Sequence, residues 1–333
     1  MKLTDFQKVF PNDEACLAFL EETVWPNGRF CPECGCVDTI ALRGKAAERR
    51  LYHCRGCRDQ FTVTSQTWLH SRKLPLVKYF EIIYYDANSS FGMASTRIAE
   101  WTGVSQKSVW KILTAFRQLQ GFWLNMREKL SNVVELDGKY IGGKPRKTKD
   151  RDGKPVKHKR GKGTKKQPVF IAVEREGEAR ATVVPDDTHD TIQAIVAAQI
   201  DASAHLMSDE DQVYAKIGKS FASHSAVCHG ASEFARDDVH NNTAECFNSW
   251  IEHMRDVHFF VSKQHMQRYV NDVMTRWNLR VTVEKQVTRK GEQVRKVTRE
   301  RMPLLDKLRV IFGHAVGCNV RRDRVTGGVV VLD

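Results

Sequence analysis

The chain has 333 residues and a formal net charge of +13, from 53 Lys and Arg against 40 Asp and Glu. That length supports two or three domains with at least one substantial core. No run approaches the ~20 apolar residues of a membrane span, and the opening MKLTDFQKVFPNDEACLAFL lacks a leader's apolar stretch and cleavage site. This balance excludes a membrane-spanning protein and points to an intracellular, soluble one whose partner is a polyanion, most simply nucleic acid.

Residues 1–25 read as a helical segment, and a metal module is expected over 26–72. Cys31 and Cys34, in FCPECGC, match Cys54 and Cys57, in YHCRGCRDQF. Each C-x2-C turn aims two thiolates at one ion, and two such turns give the tetrahedral sulfur set of a structural Zn²⁺. The intervening VDTIALRGKAAERRLYH reads as strand, turn and strand, and Phe61, Val63 and Trp68 as continuing a small sheet. Together these are the marks of a zinc ribbon. Cys36 is an extra thiol that competes as a ligand. Cys16, Cys228, Cys246 and Cys318 lack metal spacing and read as small buried residues.

Residues 73–130 are expected to hold a helix-turn-helix. ASTRIAEWTGVSQKSVWKILTAFRQL breaks at Thr102-Gly103-Val104, with Ile98 and Trp101 packing before the break and Val109, Ile112 and Leu113 after it. Ser105 suits the N-cap of the second helix. Gln106, Lys107, Ser108 and Lys111 are the candidate DNA contacts of this recognition helix.

From 131 to 280 the pattern changes. NVVELDGKYIGG alternates as a strand does, with Val133, Glu135 and Asp137 on one face. An insertion over 144–166 carries twelve Lys or Arg against two Asp. It reads as a basic loop in which Lys144, Arg146, Lys147, Lys159, Arg160, Lys162, Lys165 and Lys166 contact phosphate. Then come two strands, PVFIAVEREG and ARATVVPDD, an amphipathic helix in THDTIQAIVAAQI, and a short strand, AHLMSDEDQVY, that ends at Asp209. If the first and fourth strands are neighbours across a right-handed connection, Asp137 and Asp209 come together. The helix that begins in HNNTAECFNSW can bring Glu245 to the same place. Three converging carboxylates repel unless divalent cations intervene. An oxygen donor set suits two Mg²⁺ or Mn²⁺ ions ~4 Å apart, the pair that serves phosphodiester cleavage and transfer.

These motifs, from about Phe30 to Asn278, resemble the DDE-type transposases of bacterial insertion sequences that place a zinc ribbon before a ribonuclease-H-like domain. The matching pieces are Asp137, Tyr140, Gly142 and Gly143 in LDGKYIGGK, the basic run leading to VFIAVER, Asp209 and Glu210 upstream of Tyr214, and His240, Asn242, Thr243 and Glu245. VSKQHMQRYVNDVMTRWN matches the closing helix. Two departures stand out: Gly138 where a Glu is common, and Glu252 where a Lys is common, with Arg255 or Lys263 as substitutes for that cation. Some relatives use Asn as third acid, so Asn242 or Asn248 is an alternative to Glu245.

The resemblance implies an α+β multidomain fold: a small zinc-ribbon domain, a helical helix-turn-helix domain and a ribonuclease-H-like mixed α/β catalytic domain. It implies Asp137, Asp209 and Glu245 as both catalytic residues and ligands of two Mg²⁺ or Mn²⁺ ions. Water then cuts the transposon end, and the freed 3′ hydroxyl attacks target DNA. The implied partners are double-stranded DNA, as terminal inverted repeats and target, and a second copy of the chain in a homodimer or larger synaptic complex. The implied place is the bacterial cytoplasm, at the nucleoid. The alternative is a DNA-binding regulator whose catalytic domain is retired; a nuclease of RNA–DNA hybrids is a further one. Residues 281–333 read as a basic C-terminal segment with one helix around Leu304, Leu305, Leu308 and Ile311.

Overall fold

The computed structural model describes residues 1–143, 151–154, 164, 166–228, 233, 235–289, 292–322 and 329–332. The chain divides into two compact units, Met1–Met126 with Leu279–Asp333, and Arg127–Asn278. Among the described residues no helix is long and apolar enough to cross a membrane.

The first unit opens with α1 (Leu3–Val9) and α2 (Asp13–Val24). Asn12 caps α2, its side chain accepting from Ala15 N at 3.0 Å. A three-stranded antiparallel sheet follows, β1 (Thr39–Ala41), β2 (Tyr52–Cys54) and β3 (Gln60–Phe61), with the one-turn α3 (Lys45–Glu48) between its first two strands. The sheet stops at Phe61, short of the expected extension. Thr62 N donates to the Ser65 hydroxyl and Ser65 N to the Thr62 carbonyl, each at 3.0 Å, so a turn closes there. Val63 and Trp68 are buried, but outside any strand.

Helices α4 (Leu76–Asn88), α5 (Ser95–Thr102) and α6 (Gln106–Asn125) come next. Gly103 takes the left-handed conformation, φ +67°, that ends α5 and turns the chain into α6. Ile98, Val109, Ile112 and Leu113 are buried between these helices as expected, but Trp101 is 51% exposed and leans on Tyr85. Inside, the Arg117 guanidinium meets the Asp86 carboxylate at 3.3 Å, both fully buried.

The chain returns to this unit after residue 278. A two-stranded hairpin, absent from the sequence reading, pairs β9 (Arg280–Arg289) with β10 (Glu292–Arg301). Helix α11 (Leu304–Phe312) then packs on α2, α4 and α6, and β11 (Asn319–Arg322) pairs with β12 (Val329–Leu332). Phe312 is fully buried, with Phe80, Phe116 and Trp68 rings at 5.4, 6.1 and 6.5 Å. The C-terminal helix thus completes the N-terminal core.

The second unit is a five-stranded sheet: β4 (Val133–Ile141), β5 (Gln167–Glu174), β6 (Ala179–Val183), β7 (His205–Ser208) and β8 (Ser223–Ala226), in the order β6-β5-β4-β7-β8. β5 is antiparallel to both neighbours, whereas β4, β7 and β8 run parallel. This is the mixed sheet that the resemblance implied. Val134 and Leu136 of β4 face a core that includes α7 (His189–Gln199) and α8 (Gln212–Ile217). The opposite face carries α9 (Asn242–His258) and α10 (Met266–Asn278).

α10 also closes the outer edge of the sheet. Ala179 N, Ala181 N and Val183 N, alternate residues of β6, donate to Asn278 Oδ1, Met274 Sδ and Gln267 Oε1 at 2.8, 2.9 and 2.7 Å. A helical stripe of acceptors thereby stands in for a sixth strand and leaves those edge donors satisfied.

Phe312→Ala removes the ring that ties three aromatic neighbours together. It is expected to cost about 3–5 kcal/mol, read as a fall in the thermal midpoint of the full chain.

Candidate functional site

At the metal module the four expected thiols meet. Cys31, Cys34, Cys54 and Cys57 sulfurs all lie within 4.8 Å of one another. The two knuckles share one backbone design. Cys31 N donates to Cys36 O and Gly35 N to Cys31 O; Cys54 N donates to Asp59 O and Arg58 N to Cys54 O. Gly35 and Arg58, equivalent in the two turns, both have positive φ. Four sulfurs at this spacing fit a tetrahedral Zn²⁺. Cys36 stands outside the quartet, its thiol 4.0 Å from Asp38 O. Of the other cysteines, Cys16 and Cys318 are buried as expected; Cys228 is half-buried and Cys246 exposed. Cys246 faces outward because Ala244, Phe247 and Ile251 take the buried stripe of α9.

The acids stand on β4, just past β7, and on α9. β4 pairs β7 with Glu135 opposite Met207. Two further residues along each strand bring Asp137 level with Asp209. Asp137 is half-buried; its Oδ1 accepts from Gly138 N at 2.7 Å and its Oδ2 from the Asn248 amide of α9. Its carboxyl is pushed up to about 6, by burial first and then by the charges of Asp209 and Glu245. The three acids therefore feel one another. They are not drawn into a tight cluster: among the described residues, the cysteine quartet is the one such donor group closed within 4.8 Å.

The chemistry of this donor set fits hard divalent cations. Asn248, whose amide nitrogen meets Asp137, also has a buried Oδ1 without a hydrogen-bond partner. Of the two asparagines considered as alternatives to Glu245, Asn248 touches Asp137 and Asn242 is exposed. A cavity of about 160 Å³ adjoins Asp137 and Asp209, with Asp187, Asp211 and Tyr140 on its rim. Tyr140 donates to Asp187, and burial together with that carboxylate raises its phenol well above the ordinary range.

Sequence reasoning missed the residue that places Glu245. Glu135, two positions before Asp137 and fully buried, accepts from Thr243 N at 2.6 Å and Ala244 N at 3.0 Å. These are orphan donors of the first turn of α9, so a strand carboxylate caps the helix that carries Glu245. Arg175 Nε at 2.7 Å and the Thr243 hydroxyl at 3.1 Å complete its shell, with His240 Nδ1 at 3.2 Å. Arg175 also donates to the carbonyls of Asp238 and His240. The signal was available: Glu135 lies on the Asp137 face of a strand, where a lone buried acid needs a partner.

Both departures from the common pattern have local partners. Glu252 meets Lys139 at 3.1 Å and Arg255 at 2.8 Å. A Cβ at Gly138 would stand 3.2 Å from the Tyr214 hydroxyl, tighter than ordinary contact. On α6, Gln106, Lys107 and Lys111 are exposed, while Ser108 is held by the Ser105 cap, hydroxyl to hydroxyl at 2.9 Å. Lys144, Arg146, Lys147, Lys159, Arg160, Lys162 and Lys165 lie outside the described residues, and Lys166 is half-buried against Gly142.

Residues 129–278 match the ISXO2-like transposase domain, and residues 11–60 the transposase zinc-ribbon domain. The chain thus carries an ISXO2-like transposase domain behind a transposase zinc ribbon, the domain order of an insertion-sequence transposase. The first match coincides within two residues with the second compact unit, so the mixed sheet and its acids are the transposase domain. No curated protein matches the chain. Among solved structures it is similar to the Mos1 strand transfer complex, at 11% identity over 62% of this chain and 72% of that one, with a TM-score of 0.27. The Mos1 mariner paired end complex with Mn is similar at 10% identity over 60% and 77%, with a TM-score of 0.20.

Two outcomes follow for this site and its metal module. Glu135→Ala strands the Arg175 charge and uncaps α9, at an expected cost of about 3–5 kcal/mol, with Glu135→Gln costing less; chemical denaturation of the full chain measures both. Stripping Zn²⁺ with a chelator should unfold the ribbon, because so small a module depends on its metal. Circular dichroism should lose that signal while the transition of residues 127–278 persists.

Proposed function

We infer that this transposase cuts and joins DNA ends with Asp137, Asp209 and Glu245. The observation that carries the reading is geometric: parallel pairing of β4 and β7 brings Asp137 level with Asp209, and Asn248 ties Asp137 to the helix that bears Glu245. A pKa of about 6 leaves Asp137 mostly ionised at neutral pH, ready to take a cation. Asp137 and Asp209 would hold Mg²⁺ or Mn²⁺, and Glu245 would complete the set, with Asn248 as a neighbouring oxygen. Bound there, two such ions activate an attacking oxygen and stabilise the leaving one. The chain's own residues orient these groups: Glu135 fixes the start of α9, and Asn248 holds one Asp137 oxygen. Lys139, tethered by Glu252, places one cation beside the acids and favours the charged form of Asp137.

In this reading the partner is double-stranded DNA, as terminal repeats and target. The recognition helix presents Gln106, Lys107 and Lys111, and the basic insertion supplies phosphate contacts whose strength falls with salt. A homodimer or larger assembly is expected, because two ends must be handled together.

The test uses the full chain and a labelled duplex carrying the insertion-sequence ends. Wild type should nick the duplex with Mg²⁺ and join the freed 3′ end to a second duplex. Asp137→Asn and Asp209→Asn should each slow nicking by roughly 10³-fold or more, matching a loss of several kcal/mol of transition-state stabilisation. DNA affinity should stay unchanged. Wild type that binds the ends yet never nicks them with either ion would favour the regulator. Cleavage of an RNA–DNA hybrid without joining would favour the hybrid nuclease.

A further inference from the structure

Helix α9 ends abnormally. Phe259, its C-cap, has φ +53° and ψ −64°, and Phe260 N donates back to His258 O at 2.6 Å. That is a γ-turn of the rare, strained hand, in which a bulky side chain is a genuine outlier. Glycine is the residue expected there. The turn projects two adjacent phenyl rings outward: Phe259 is 88% and Phe260 79% exposed, the highest values among the exposed large hydrophobics described. Single exposed apolar residues are ordinary, but a contiguous pair held out by a strained backbone calls for a partner.

The charge of the segment points to the partner. From Val257 to Arg268 the sequence has Lys263 and Arg268 and no acid, Asp256 lying just before it. Aromatic rings set near cations are the usual platform for nucleic-acid bases, with stacking on the ring and phosphate on the cation. Position agrees as well. Phe259 is fourteen residues beyond Glu245 on a continuous helix, about 21 Å at the helical rise. That spans roughly six base-pair steps of a duplex, so one DNA segment can lie along both.

We propose that Phe259 and Phe260 form a wedge that enters the base stack of DNA bound along α9, unstacking one step and bending the duplex toward the acids. Phenyl wedges of this kind open base steps and kink DNA. The proposal concerns DNA held along α9 and does not depend on which acids carry the chemistry.

The experiment uses the zinc-loaded full chain and a short duplex with a single 2-aminopurine, the label walked through successive positions. Wild type should raise fluorescence at one or two adjacent positions. F259A/F260A should lose that rise and weaken binding by roughly tenfold at fixed salt, with the dependence of affinity on salt unaltered because phosphate contacts remain. F259W/F260W should keep the rise. Phe259→Gly relieves the strained turn, so it should fold at least as well as wild type and still give a smaller rise. No rise with wild type at any position, or an undiminished rise in F259A/F260A, overturns the proposal. So does a double variant whose sedimentation shows a changed oligomeric state with the fluorescence rise intact.

Discussion

The geometry of the candidate site depends on the attachment of α9 to β4. Three rungs join them: Glu135 to the amides of Thr243 and Ala244, Asp137 to Asn248, and Lys139 to Glu252. On the strand these positions are two residues apart, about 6.7 Å. On the helix, 244, 248 and 252 are four apart, about 6 Å. The near match of those two repeats lets a helix lie lengthwise on a strand and touch it at every rung. The first rung is the strongest in kind. A buried carboxylate receives two backbone donors at the positive end of a helix, and an arginine balances it. This rung holds Ala244, the residue before Glu245, directly to the strand that carries Asp137.

This ladder also explains how the chain tolerates its two departures from the common pattern. A helix with Glu at 252 would add a fourth negative charge near three others. Lys139 on the facing strand and Arg255 one turn on both reach that carboxylate, so the added charge is neutralised where it arises. The cation has moved from the helix to the strand, next to Asp137. At 138, a Cβ would stand 3.2 Å from the Tyr214 hydroxyl, so a larger residue there needs that side chain to give by a few tenths of an ångström. Neither change removes an acid from the set, so neither supports a retired enzyme.

Much of this was legible in the sequence, for identifiable reasons. The C-x2-C pairs announced the zinc ribbon because thiolate geometry leaves few alternatives at that spacing. The alternation in NVVELDGKYI and the buried run in PVFIAV marked adjacent strands, and Asp209 was read at the end of the fourth. Glu135 was visible, yet its role was not: periodicity places a side chain on a face but does not say what it meets. The hairpin was missed for another reason. Val281, Val283 and Val287 alternate as a strand should, but the dense charge around them read as a basic tail. Trp101 was placed inside on hydrophobicity alone, whereas a large indole at a helix end packs one face and leaves the other wet. The tail's link to the N-terminal core through Phe312 joins residues far apart in sequence, and no local pattern encodes that.

The distribution of charge separates attraction from chemistry. An excess of +13 draws a polyanion from a distance, yet the centre it must reach is lined by Asp137, Asp209, Asp187 and Asp211. At physiological salt the screening length is about 8 Å. A phosphate therefore responds to the chain's net positive charge at long range and to these carboxylates only close by. There the carboxylates repel it, with Lys139 as the nearby counter-charge the structure places on Asp137. Under the proposed function, divalent cations held by these acids would offset that repulsion, so binding should respond to monovalent salt and cleavage to Mg²⁺ or Mn²⁺.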